Sequence, residues 1–95
     1  MGNTTRIEGL IHCGSPGETY ILTKVFSIPI EPFPGLKIII PGGHELTVES
    51  VMINTIEFDG AVYVKFKDQV FEGAEKLFQS LIGDGWHEID EHQTS

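Results

Sequence analysis

The chain has 95 residues, and 14 acidic against 6 basic side chains give it a formal net charge of -8. That length gives one small domain over 1–95 with a modest core and flexible ends at 1–4 and 91–95, and 40% apolar residues exclude a disordered or fibrous chain. A pI near 4.7 argues against nucleic acid and against an anionic membrane surface, since both need a basic footprint.

The charge is unevenly spread. Residues 1–40 hold three bases (Arg6, Lys24, Lys37) and three acids (Glu8, Glu18, Glu31), so the whole excess falls in residues 41–95. The single cysteine, Cys13, excludes an internal disulfide framework and any multi-cysteine zinc site. No basic start leads into an apolar stretch, and the longest uninterrupted apolar run is Ile38-Ile39-Ile40. No signal peptide, no membrane span and a cytoplasmic location are the expectations. The opening Met1-Gly2 lacks the Ser or Thr of a myristoylation signal, since Arg6 stands in that place. The Asn3-Thr4-Thr5 triplet has meaning only in a secreted protein.

In chain order, the apolar spacing is mostly that of strands. Arg6–His12 predicts a short strand, and Gly14-Ser15-Pro16-Gly17 a turn. Tyr20–Ile28 predicts a stronger strand, with Tyr20, Leu22, Phe26 and Ile28 on one face and Lys24 interrupting it. Three prolines in the segment from Pro29 to Pro34 exclude a central strand there, because each removes a backbone donor. Leu36–Ile40 is short and Ile-rich, which points to a central strand, followed by a Pro41-Gly42-Gly43 turn.

The stretch Glu45–Glu57 changes phase: Leu46 and Val48 set one face, Val51 and Ile53 the other. That slip predicts a bulge near Glu49-Ser50 and a curled sheet. Asp59-Gly60 predicts a hairpin into the alternating strand Val62–Phe66, with a three-residue loop pairing Ile56 with Val62. Val70, Phe71, Ala74, Leu77, Phe78, Leu81 and Ile82 then recur at steps of three and four, predicting one helix. Asp68 suits its N-cap and Gly83 its C-terminal stop. Trp86–Ile89 predicts a last short strand or a docked tail. The expected fold is α+β with β dominant: a curved, mostly antiparallel sheet or small barrel of about five to six strands, with one C-terminal helix packed on it.

Candidate chemistry is sparse. Cys13 beside His12 invites a nucleophile reading, but adjacent strand residues point to opposite faces, so His12 is badly placed as its base. Gly9 and Gly14 have the spacing of a phosphate-binding loop, yet Ser15-Pro16 replaces its Lys-Ser/Thr pair. The G-x-x-G form of residues 14–17 lacks the helical, basic surroundings that an RNA-binding loop needs. Asp84, His87, Glu88, Asp90 and His92 supply metal-ligand types without a ligand spacing. Glu45, Glu49 and Glu57 read as outward strand positions, and Lys24, Lys65 and Lys67 as guards of edge strands. No catalytic residue, metal or cofactor is expected.

Two readings follow. In the first, the chain is a small acidic, non-catalytic domain that works by contact with another protein or with itself. The Pro-rich segment reads first as a rigid, extended crossover with Phe33 tucked against the core; in the sharper reading Ile30 and Phe33 are an exposed contact pair held stiff by proline. In the alternative, it is an enzyme or small-ligand carrier with a pocket near His12, Cys13 and His44, which stand at strand ends.

Overall fold

The computed structural model describes residues 4–56 and 60–89. Of the ends expected to be flexible, only Thr4 falls within it, and so do neither Asp90 nor His92 of the acidic tail. The chain forms β1 (Thr5–Ser15), β2 (Glu18–Ile28), β3 (Lys37–Ile40), β4 (His44–Met52), β5 (Val62–Phe66), β6 (Gln69–Val70), α1 (Glu75–Gly83) and β7 (His87–Ile89). The class is α+β with β dominant. The sheet has seven strands in the order β3-β4-β5-β1-β2-β7, with β6 also on β1, and it does not close into a barrel.

β1 and β2 form a long hairpin whose register runs from Thr5↔Ile28 to Ser15↔Glu18. Its turn is Pro16-Gly17, and Gly17 has φ 93, as the third residue of a type II turn requires. The same chemistry recurs at Phe33-Pro34-Gly35-Leu36, where Gly35 has φ 96 and the Leu36 N–H donates to the Phe33 carbonyl at 3.1 Å. The Pro41-Gly42-Gly43 turn joins Ile40 to His44 as expected.

The expected bulge is present. Val48 pairs with Phe66 but Ser50 with Lys65, so Glu49 is the extra residue. Leu46 and Val48 are buried before it and Val51 packs on the core after it, which is the phase change read from the sequence. Lys65 answers the bulge directly: its ammonium lies 3.2 Å from Glu49 and 3.3 Å from Asp68. Burial works against its charge, but those two carboxylates outweigh it and raise its pKa above the ordinary value.

The sheet is mostly antiparallel, as expected, with β5 and β6 running parallel to β1. Four expectations need correction. β3 is an edge strand, since its neighbour on one side is β4 and the order ends there. The β4–β5 ladder stops at Met52↔Tyr63, so Ile56 does not pair with Val62. An Asx turn ends β4: the Ile56 N–H donates to Asn54 Oδ1 at 2.9 Å, and Ile56 is 91% exposed. Residues 58 and 59 of the expected hairpin turn lie outside the described residues.

The helix also begins later and ends later than expected. Gln69 and Val70 pair with Cys13 and Gly14, and the Phe71 N–H donates to the Gly14 carbonyl at 3.1 Å. Gly73 then takes φ 92, which breaks any helix from Asp68, so α1 starts after Ala74 without a side-chain cap. Gly83 is inside α1; the stop is Gly85, with φ 100. The Gly85 N–H donates to the Ile82 carbonyl at 3.2 Å and the Trp86 N–H to the Leu81 carbonyl at 3.0 Å, the paired bonds of a Schellman motif. Its usual apolar contact is supplied by Leu81 and Trp86, both buried.

The core lies between the sheet and α1. Ile7, Ile11 and Cys13 alternate along β1, Leu22 and Ile28 come from β2, Val64 and Phe66 from β5, and Ala74, Leu77 and Leu81 from the helical side. Each fully buried Leu, Ile or Phe of this set contributes roughly 1.5–3 kcal/mol of transfer free energy. Gly9 leaves the space in which three rings meet. Phe26 and Phe66 sit 5.9 and 6.1 Å from Trp86, centroid to centroid, and a Cβ on Gly9 would come within 2.9 Å of Phe66.

Candidate functional site

The residues of the alternative pocket are divided between the two faces of the sheet. Cys13 faces the helical side, buried, with its sulfur 3.9 Å from the Ala74 carbonyl. Burial pushes its pKa up from the ordinary value, so the thiol is protonated at neutral pH. His12, next along β1, takes the opposite face by strand alternation. His44 begins β4, two strands away from β1 in the sheet order, and its Nε2 lies 3.1 Å from Ser80 Oγ on α1. None of the three lines a cleft described below.

Ile30 and Phe33 stand on the crossover from β2 to β3. They are 48% and 51% exposed, so Phe33 is not tucked into the core. The segment is braced at both ends: Ile28 is buried, and the Gly35 N–H donates to the Val48 carbonyl at 2.9 Å. Proline at 29, 32 and 34 fixes φ at three of its positions, so two large apolar side chains are displayed at little entropic cost.

A cleft of about 300 Å³ opens beside this segment. One wall is Phe26, Ser27, Ile28 and Pro29; the facing wall is Ile38, Ile39, Ile40 and Pro41. Trp86 and the Lys24–Asp84 pair complete it. Sequence reasoning missed this site, because its walls are 9 to 15 residues apart in the chain and meet only through the curl of the sheet. One signal was legible: Lys24 interrupts an otherwise apolar face, and such a charge needs a partner. The partner is Asp84.

A second cleft, about 250 Å³, lies over Glu8, Leu10, Ser50, Met52, Tyr63 and Lys65 on the face away from the helix. Lys65 belongs to β5, inside the sheet, so it guards no edge; Lys24 is taken up by Asp84. Among the described residues no group of three or more His, Cys, Asp or Glu is placed to hold a metal ion. Among them, too, no helix is long and apolar enough to cross a membrane. No family model, no curated protein and no solved structure matches the chain. Fold alone does not define function, so the functional argument rests on these surfaces.

Proposed function

We propose that the chain is a small acidic, non-catalytic interaction domain that works by contact with another protein. The observation that supports this reading is the exposed pair Ile30 and Phe33 on a proline-stiffened segment with both ends anchored. Large apolar side chains held in one conformation lose little freedom on binding and serve as anchors of an interface. They lie in the part of the chain whose charges balance, where a partner meets the least repulsion.

The test compares the wild-type chain with Phe33→Ser and Ile30→Ser. Partners captured by the wild type are purified and titrated against all three forms. Affinity is expected to fall by about tenfold or more, on the order of 1.4 kcal/mol, with the fold intact by circular dichroism. Equal affinity of all three forms sinks the reading, and unfolding of Phe33→Ser would make Phe33 a core residue instead. Self-contact is the neighbouring outcome: light scattering at several concentrations shows it as a mass above 10.5 kDa.

A further inference from the structure

The cleft beside the Pro-rich segment runs between two open strand edges. The β2–β7 ladder covers only Ile21–Thr23, so Lys24–Ile28 has β1 on one side and, among the described residues, no strand on the other. β3 pairs with β4 over Lys37–Ile40 and, among the described residues, has no strand on its outer side. Laid flat, β2 and β3 would stand four strand intervals apart, roughly 19 Å. The curl of the sheet instead makes them opposite walls of one cavity.

The lining shows how that cavity is oriented. Successive strand residues point to opposite faces, so a pocket on one face is lined by alternate residues. Here Phe26, Ser27 and Ile28 line it together, and so do Ile38, Ile39 and Ile40. Three consecutive residues from each strand mean that the cleft follows the strand edges. What these edges offer is main-chain N–H and C=O groups flanked by branched apolar side chains, and Ile39 is 70% exposed there. The matching occupant is an extended backbone with apolar side chains.

We propose that this cleft is a strand-addition site, which takes an extended, apolar and net-basic segment of a partner protein between β2 and β3. The inference rests on the reading of the chain as an interaction domain and names its partner class. The basic character follows from the field of the whole protein and not from the cleft, whose charged lining residues, Lys24 and Asp84, pair with each other: at a net charge of -8 the protein draws cations toward it and repels a second copy of itself. The cleft is closed at one side by the Lys24–Asp84 pair and by Trp86, whose buried indole Nε1–H has no acceptor among the described residues. Its resonance therefore reports changes in packing around Trp86 when the cleft that this residue lines is filled.

The probe is a short synthetic peptide of alternating valine and threonine with a lysine at each end, titrated into the full chain and followed by amide NMR. Expected are shifts at Lys24–Ile28, at Lys37–Ile40 and at the Trp86 indole N–H, with slower hydrogen exchange along both edges. A matched peptide with a central proline lacks one donor and should bind at least about tenfold more weakly. Ile39→Lys, at an exposed edge position, should weaken the first peptide by a similar factor and leave the fold unchanged. Equal binding of the two peptides makes the cleft a simple apolar pocket and overturns the proposal. No binding at millimolar peptide, or shifts confined to Ile30–Phe33, overturns it as well. A peptide-free dimer abolished by Ile39→Lys assigns the edge to a second copy and does the same. Failure here with a Phe33-dependent partner intact leaves the interaction reading standing; loss of Phe33 dependence with cleft binding intact removes only the contact assigned to Phe33.

Discussion

The Lys24 ammonium stands 2.6 Å from the main-chain carbonyl oxygen of Asp84 and 3.1 Å from its carboxylate. Asp84 caps the C-terminal end of α1, where the carbonyls left over by the helix collect partial negative charge. One lysine from the middle of β2 thus ties the helix end to the sheet. The ammonium lies 5.8 Å from the Phe26 ring as well, and the two side chains of the pair are 28% and 17% exposed.

Lys24→Met should therefore cost about 1–2 kcal/mol, because it removes a charge-assisted bond at a partly buried helix end. Asp84→Asn should cost less, since the shorter of the two contacts is to the backbone and survives the change. Urea denaturation of both variants checks the order. A larger loss for Asp84→Asn would mean that the ion pair, not the cap, holds the helix.

Gly83 and Gly85 make opposite predictions two residues apart. Gly83 lies inside α1 with nothing within 4 Å of an added Cβ, so Gly83→Ala should stabilise by roughly 0.5–1 kcal/mol. Gly85 takes φ 100, and Gly85→Ala should destabilise by about 1–2 kcal/mol. Thermal denaturation of the two variants in parallel resolves the sign of each.

Gly9→Ala tests the packing of the three rings. The new methyl would meet Phe66 at 2.9 Å, Trp86 at 3.1 Å and Phe26 at 3.3 Å; Phe66 and Trp86 are buried in the core and Phe26 packs against it. Overpacking of this kind costs about 1–3 kcal/mol. Near-ultraviolet circular dichroism and Trp86 fluorescence should change with the stability. An unchanged spectrum at full stability would show that the rings have room to move.

The Cys13 thiol should resist a water-soluble disulfide reagent in the native state at neutral pH and react on unfolding. The pH dependence follows from the sign of its shift. Burial raises its folded pKa above the unfolded value of 9.0, so its contribution to stability is complete below pH 9.0 and declines as pH rises toward the folded value. Cys13→Ala should flatten the alkaline limb of the stability curve. Fast labelling of the native protein would mean that the strand opens at Cys13.

Local features of this fold were legible in the sequence and long-range ones were not. The type II turn at Pro16-Gly17, the bulge at Glu49 and the docked Trp86 each follow from the chemistry of a few neighbouring residues. The parallel pairing of β5 with β1 does not, because nothing in Val62–Phe66 records which strand lies beside it. The start of α1 is hidden for a related reason: pairing of Gln69 and Val70 with Cys13 and Gly14 overrules the helical spacing at Val70 and Phe71. For the candidate surface, Ile30 and Phe33 were visible as apolar residues among prolines. The cleft was hidden, since a curl of the whole sheet is what brings Phe26 to Ile38.

β1 takes neighbours from three stretches of the chain: β2 directly after it, β5 some fifty residues on, and β6 beyond that. During synthesis the β1–β2 hairpin can therefore emerge, but its apolar face is not fully covered until β5 and the residues after it leave the ribosome. The last of the cover, Leu81 and Trp86, comes only once α1 has been made. Assembly of this core has to wait for Trp86, and pairing over such separations slows folding toward milliseconds to seconds rather than microseconds.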